Sequence, residues 1–227
     1  MSVMEAGDRD AAMPATAPPA AGRSTPYGPA KRLLDIAAAA MLLGLLAPLL
    51  LLTALAVRLE TAGPALFRQR RCGAGEGTFS ALKFRTMHVD AEARLDRLLA
   101  ADPVLRGEYL RHHKLHDDPR VTRVGRLLRR TSLDELPQLW NVLAGDMSLV
   151  GPRPYMPHEL EAHPGARAAI ARVKPGITGL WQVSGRHRTT FEDRIRLDLA
   201  YVEGRSFRQD MAILRRTVTV IVRADGI

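Results

Sequence analysis

The densest run of residues able to do chemistry is Arg129-Arg130-Thr131-Ser132-Leu133-Asp134-Glu135-Leu136-Pro137-Gln138. Two adjacent carboxylates follow two arginines. The plain explanation is a helix start: Ser132 and Glu135 have capping-box spacing, and acids are common in a first turn. Pro137 complicates that explanation. With Ser132 as N-cap, the proline falls past the first turn and deletes an intrahelical hydrogen bond. A helix from about Asp134 to Leu143, ended by Gly145, avoids this and sets Asp134 at the turn itself. An activated carboxylate nucleophile needs such a setting, kept ionised by nearby positive charge and a helix N-terminus.

Gly151-Pro152-Arg153-Pro154 holds one arginine between two prolines. Proline fixes φ, so a stiff backbone presents a planar fork suited to phosphate oxygens. A turn with a solvated arginine fits the same residues. In Lys83-Phe84-Arg85 strand alternation puts Lys83 and Arg85 on one face and Phe84 on the other, ordinarily a solvated face. Lys174 to Arg186 is glycine-rich and irregular, which permits close backbone approach to a ligand but is equally turn chemistry. His112 and His116 have helical spacing, with His113, Asp117 and Asp118 nearby. No apolar frame supports a metal there. Cys72 is the single cysteine, so no internal disulfide framework exists, and a reducing compartment fits best.

The elements that must position these residues read as follows. Strands over 65–71 and 78–85 flank a turn at 72–77. A helix over 89–101 carries Leu95, Leu98 and Leu99 on one face. Residues 102–119 are polar, a linker or irregular segment. A short basic helix runs over 121–130, and 148–154 is extended. Helices follow over 191–202 and 208–223. On the last, Met211, Leu214, Val218 and Ile221 share a face, suited to core packing or to a membrane surface.

Upstream, residues 1 to about 30 are rich in Ala and Pro and read as a flexible tail. Ile36 to Val57 contains no charged residue. Roughly 20 residues at about 1.5 Å rise cover the ~30 Å hydrocarbon core of a bilayer. A single spanning helix would explain the run. Pro48 in its middle and basic residues on both sides argue instead for a bent, re-entrant helix with both ends cytoplasmic. A buried core helix is the third option.

The whole chain has 227 residues, of which 46% are hydrophobic and 25% charged, enough for a sizeable core. Its 33 basic and 24 acidic residues give a net charge of +9, which favours nucleic acid, anionic lipid or phosphorylated substrates as partners. Aromatics at 5% weaken any base-stacking platform. The mean hydropathy of −0.10 is too low for a polytopic membrane protein.

Taken in order, the apolar segment, Lys-Phe-Arg-Thr-Met at 83–87, Ser-Leu-Asp-Glu-Leu-Pro-Gln at 132–138, Gly-Asp-Met-Ser-Leu-Val-Gly-Pro-Arg-Pro at 145–154 and Pro-Gly-Ile-Thr-Gly at 175–179 closely resemble the bacterial sugar transferases, the small monotopic phosphoglycosyl transferases. The likeness covers about residues 31–223. It implies an α/β fold, mostly helical with a small β-hairpin or sheet, a re-entrant membrane helix-hairpin and amphipathic interfacial helices. The implied organisation is a disordered tail at 1–30, a membrane anchor at 31–60 and a cytoplasmic catalytic domain at 61–227.

The activity implied is transfer of a sugar-1-phosphate from a UDP-sugar to undecaprenyl phosphate at the cytoplasmic face of the bacterial inner membrane. UMP is released and surface glycan or exopolysaccharide assembly begins. Asp134 would be the nucleophile and Glu135 a ligand of Mg²⁺, with Asp198 of Leu-Asp-x-x-Tyr as a second metal ligand. Lys83, Arg129 and Arg153 would bind substrate phosphates, and Gln182 and Arg186 the nucleotide sugar. Gln-Val-Ser-Gly-Arg at 182–186 resembles the glucose or galactose branches. The family often breaks its membrane helix with Ser-Pro; here Ala47 precedes Pro48. Nucleic acid drops out as a partner on this resemblance. The alternative is a basic, membrane-tethered binding or scaffold protein without catalysis.

Overall fold

The computed structural model describes residues 27–112, 115–185 and 189–222. Helix α1 (Tyr27–Glu60) takes in the whole uncharged run. It begins inside the segment expected to be tail; the remainder of that segment lies outside the described residues. Pro29 is tolerated because a first turn has no partner for its missing N–H. Helix continues through Pro48, so the break is internal to a helix and no loop separates two arms. Pro48 removes the N–H that the Gly44 carbonyl would accept from.

Both ends of α1 are tied down. At the start, Lys31 donates to Asp210 at 2.6 Å, and Arg32 donates to the carbonyls of Val142 and Leu143 at 2.6 and 3.0 Å. Asp35, buried, accepts from the Ser148 hydroxyl and the Leu149 N–H. At the far end, Glu60 accepts the N–H groups of Arg123 and Val124 at 2.6 and 2.9 Å. Between these ties Met41, Leu45, Leu49, Leu51, Leu52 and Leu55 are exposed.

Strands β1 (Leu66–Cys72) and β2 (Thr78–Phe84) form an antiparallel hairpin, with Phe67 opposite Lys83. Strand β2 ends at Phe84, so alternation does not carry Arg85 onto the face of Lys83. Arg85 is instead buried and donates to the carbonyls of Thr61 and Ala62, just past the end of α1. Helix α2 (Ala91–Ala101) matches the leucine periodicity. Helix α3 (Pro103–His112) falls where a linker was expected. Its weak amphipathicity gave no periodic signal; it packs mainly on α2.

Helix α4 (Arg123–Thr131) is capped by the Thr122 hydroxyl. The expected helix from Asp134 is split. Leu133–Glu135 is a 3₁₀ turn, and α5 (Gln138–Ala144) starts only after Pro137, which supplies the N-cap. The proline thus sits where it costs no intrahelical bond. Gly145, at φ 95°, closes α5 as expected. Strand β3 (Ser148–Val150), helix α6 (Pro164–Ile170) and strand β4 (Gly176–Thr178) follow. β3 and β4 pair in parallel, giving regular structure to part of the stretch expected to be irregular.

Helices α7 (Phe191–Gly204) and α8 (Phe207–Val222) close the fold. On α8 the inward residues are Asp210 and Ile213, while Val218, expected on the apolar face, is 62% exposed. The polar partners decide the rotation: Asp210 accepts from Tyr201 and Lys31, and Thr217 bonds Thr178.

The largest core joins Ala39 of α1, Leu139 and Val142 of α5, Leu149 and Val150 of β3, Tyr201 of α7 and Ile213 of α8. Val57, Phe84 and Leu128 form a second cluster binding the far end of α1 to β2 and α4.

Candidate active site

Five cationic side chains (Arg71, Lys83, Arg129, Arg153 and Arg194) and two carboxylates (Asp134 and Glu135) line one cavity of about 430 Å³, with Gln138, Trp181, Gln182 and Thr189. The hairpin, the α4–α5 junction, the β3–β4 loops and α7 all contribute. The five residues expected to touch phosphate or carry the chemistry, Lys83, Arg129, Asp134, Glu135 and Arg153, come from three separate stretches of sequence, yet converge here.

The carboxylates are presented by an unusual backbone. Ser132 sits in the left-handed region at φ 55° and its N–H bonds Arg129 O, ending α4. No side-chain cap forms at Ser132, so the capping-box explanation does not hold. Strain in this region for a non-glycine residue is uncommon and is held by its surroundings. The next three residues turn as 3₁₀ helix and aim Asp134 and Glu135 at the cavity.

Strand β2 is fixed against α5 by one side chain. Asn141 accepts from Leu82 N–H and donates to Ser80 O, both at 2.9 Å, acting as an extra strand edge. Lys83, next along β2, donates to Glu135 at 2.7 Å. Arg129, on the last turn of α4, donates from Nε to the Thr86 hydroxyl at 2.9 Å. Burial lowers its pKa, opposed by the Asp134 and Asp118 charges.

Asp134 differs from expectation in its ionisation. Burial, then the Glu135 charge, pushes it up to about 6, with Lys83 and Arg129 pulling the other way. Desolvation outweighs the nearby cations. The group is still mostly ionised at neutral pH, and a carboxylate of this basicity is a better nucleophile than an ordinary one.

Arg153 is set by two glycine contacts and one acid. A Cβ on Gly176 would overlap the Gly151 nitrogen, so the Gly-Pro-Arg-Pro and Pro-Gly-Ile-Thr loops pack backbone on backbone. The Arg153 N–H donates to Asp198 at 3.1 Å, and the Tyr155 hydroxyl donates to the same oxygen at 2.8 Å. Asp198 is fully buried and is absent from the cavity wall. Burial raises it to about 6, against the Tyr155 and Arg153 hydrogen bonds and the Arg153 and Arg194 charges.

Of the expected site residues, Asp134, Glu135, Lys83, Arg129, Arg153 and Gln182 come together in the cavity. Asp198 stands behind Arg153. Pro48 is remote, in α1. Arg186 and His113 lie outside the described residues. His112 closes α3, and no group of three or more potential ligands converges among the described residues. Arg71, Gln138, Trp181 and Arg194 were not singled out by sequence. For Arg71 the available signal was strand alternation, which turns it inward while Arg68 and Arg70 face outward.

Paired carboxylates among five cations thus line one cavity of a chain that also carries a helix long and apolar enough to cross a membrane. Sequence comparison gives the family. The chain belongs to the bacterial sugar transferases, whose pattern matches residues 27–224. It is 44% identical over 196 residues to the UDP-galactose-lipid carrier transferase of Erwinia amylovora, covering 86% of this chain and 41% of that protein. It is 39% identical over 224 residues to the exopolysaccharide production protein ExoY of Rhizobium meliloti, covering 98% of this chain and 99% of the relative. It is 46% identical over 204 residues to the UDP-glucose:undecaprenyl-phosphate glucose-1-phosphate transferase of Caulobacter vibrioides, covering 86% and 71%. The chain thus spans about two fifths of the Erwinia relative and nearly all of the Rhizobium one.

Proposed function

We propose that the protein transfers a sugar-1-phosphate, glucose or galactose, from a UDP-sugar to undecaprenyl phosphate and so begins exopolysaccharide assembly. The observation that carries this is Asp134: a half-buried carboxylate of raised basicity, with Lys83, Arg129 and Arg153 lining the same cavity. The activities for which the Erwinia and Caulobacter relatives are named support the donor and acceptor.

A carboxylate oxygen of Asp134 attacks the β-phosphorus of the UDP-sugar. The bond from that phosphorus to the bridging oxygen breaks, and its electron pair leaves on UMP. Lys83 and Arg129 stabilise the equatorial oxygens of the transferring group, a role suited to fixed charges aimed at where charge develops. An oxygen of the lipid phosphate then attacks the same phosphorus and displaces the Asp134 carboxylate. The product is a sugar linked to the lipid by a diphosphate.

Among the described residues no cluster of three or more acidic, histidine or cysteine side chains would hold a metal alone. Glu135 does fit Mg²⁺, which takes one or two carboxylates and completes its shell with phosphate oxygens and water. Bound there, the ion would neutralise charge on the departing UMP. Asp198, enclosed behind Arg153, suits positioning of that arginine rather than ligation.

The membrane is the other partner. Lys31, Arg32 and Asp35 at one end of α1 and Glu60 at the other all bond the same folded body. A helix crossing the ~30 Å hydrocarbon layer would carry its ends to opposite sides. Ties at both ends favour entry and return at one face, the cytoplasmic face of the inner membrane, with Pro48 permitting the bend.

A UMP-release assay with undecaprenyl phosphate, Mg²⁺ and a panel of UDP-sugars tests the assignment. UMP is expected with UDP-glucose or UDP-galactose and only with enzyme. No release with any UDP-sugar would contradict it.

A further inference from the structure

Arg71, Arg153 and Arg194 crowd one wall of the cavity. After burial, the charge of Arg153 is the next influence lowering the basicity of both Arg71 and Arg194. Trp181 organises two of them: the Arg153 guanidinium lies 5.2 Å from its ring centroid and that of Arg194 4.3 Å. The Trp181 indole N–H donates to the Thr189 hydroxyl at 2.8 Å, fixing the ring. Cation–π contact holds such groups without consuming their N–H donors.

Those donors are under-used. Among the described residues the guanidiniums of Arg153 and Arg194 make no hydrogen bond to a protein acceptor, and the Nε atoms of Arg71, Arg153 and Arg194 are buried without one. Arg71 spends its other nitrogens on Pro154 O and Gln69. The opposing carboxylates are incomplete partners. Glu159 stands 3.6 Å from Arg71 and 3.9 Å from Arg194, beyond hydrogen-bond length. Asp198 bonds the Arg153 backbone N–H and Tyr155, not the guanidinium. Buried donors left in this state call for an anion with several oxygens.

We propose that Arg71, together with Arg153 and Arg194 stacked on Trp181, forms the seat of the α-phosphate that departs as the nucleoside monophosphate, distinct from Lys83 and Arg129 at the transferred phosphoryl group. This rests on the transferase assignment and deepens it. When the bond between β-phosphorus and bridging oxygen breaks, the electron pair stays on that oxygen and raises the charge on the departing UMP. Guanidinium forks aimed at the α-phosphate stabilise that charge as it develops. The same groups bind free UMP as product and align it for the reverse reaction. The lipid phosphate, which attacks after UMP has gone, needs no contact with them.

The experiment uses the full chain in nanodiscs, comparing wild type with Arg194→Gln and Arg194→Lys. UMP binding is measured by calorimetry, adduct formation by UMP release in a single turnover, and adduct discharge by adding undecaprenyl phosphate to preformed adduct. Loss of one charged fork is expected to weaken UMP binding about tenfold or more. Adduct formation slows by a similar factor while discharge keeps its wild-type rate. Arg194→Lys recovers part of the UMP affinity. Unchanged UMP affinity in Arg194→Gln overturns the proposal, as does equal slowing of both half-reactions. If wild type binds UMP but forms no adduct, the transferase assignment fails, and the seat is judged by calorimetry alone. Arg194→Lys and a thermal unfolding scan separate loss of the seat from loss of the fold.

Discussion

Lys83 donates to Glu135 at 2.7 Å, while its neighbour Asp134 has no cation within ion-pair distance among the described residues. The pair divides two adjacent acids into two roles. Glu135 is neutralised directly. Asp134 feels the cations only at a distance, and burial and Glu135 raise it to about 6. Two carboxylates pushed apart in environment take different chemical parts.

The first half-reaction should therefore have an acid limb near pH 6. Protonation removes the nucleophile, so log kcat/KM for the UDP-sugar should fall with unit slope below that pH. A pH profile of UMP release under subsaturating UDP-sugar measures it. A limb near pH 4 would mean that an ordinary exposed carboxylate limits the rate.

Lys83→Met should move that limb. Lys83 lowers the pKa of Asp134, and its loss also removes the Lys83–Glu135 ion pair. The limb should shift above pH 6, and the rate at pH 7 should fall about a hundredfold or more as an electrostatic stabiliser is lost. The same profile with the variant checks both effects.

Asp134→Asn should abolish turnover and yet stabilise the fold at neutral pH. A carboxyl whose folded pKa of about 6 lies above its unfolded value binds its proton better when folded. Stability is thus lost as pH rises through about 6, and the variant escapes that loss. Full conversion would be about 3 kcal/mol, trimmed by partial solvent exposure to about 1. Thermal unfolding at pH 7 should show the variant a few degrees higher, with the difference gone near pH 4.

Asp35→Ala should loosen the anchor without touching the chemistry. It leaves the Leu149 N–H and the Ser148 hydroxyl short of a buried charged acceptor. A cost of about 2 kcal/mol is expected from losing such bonds. Thermal unfolding should register it, while the single-turnover rate of folded protein stays near wild type.

Much of the fold was legible. Alternation gave the hairpin and uncharged length gave α1. Gly145 marked the end of α5. The failures have physical causes. Pro137 falls past the first turn of any helix capped at Ser132, and a left-handed Ser132 followed by a 3₁₀ turn solves that problem with no sequence period to announce it. The face of α8 was set by Asp210 and Thr217 finding buried partners, which an apolar count does not see. The candidate site was legible where motifs carry it, at Lys83, Asp134 and Arg153. Arg194 on α7 reads as any solvated arginine until Trp181, close in sequence but across a turn, is folded beneath it.

The central claim is covalent catalysis at Asp134. Intact-mass spectrometry after mixing with UDP-glucose or UDP-galactose, without lipid, tests it most directly. Wild type should gain the mass of one phosphosugar, mapped to Asp134, and lose it on addition of undecaprenyl phosphate; Asp134→Asn should gain nothing. Steady UMP release with no adduct at Asp134, or turnover by Asp134→Asn, would contradict the account.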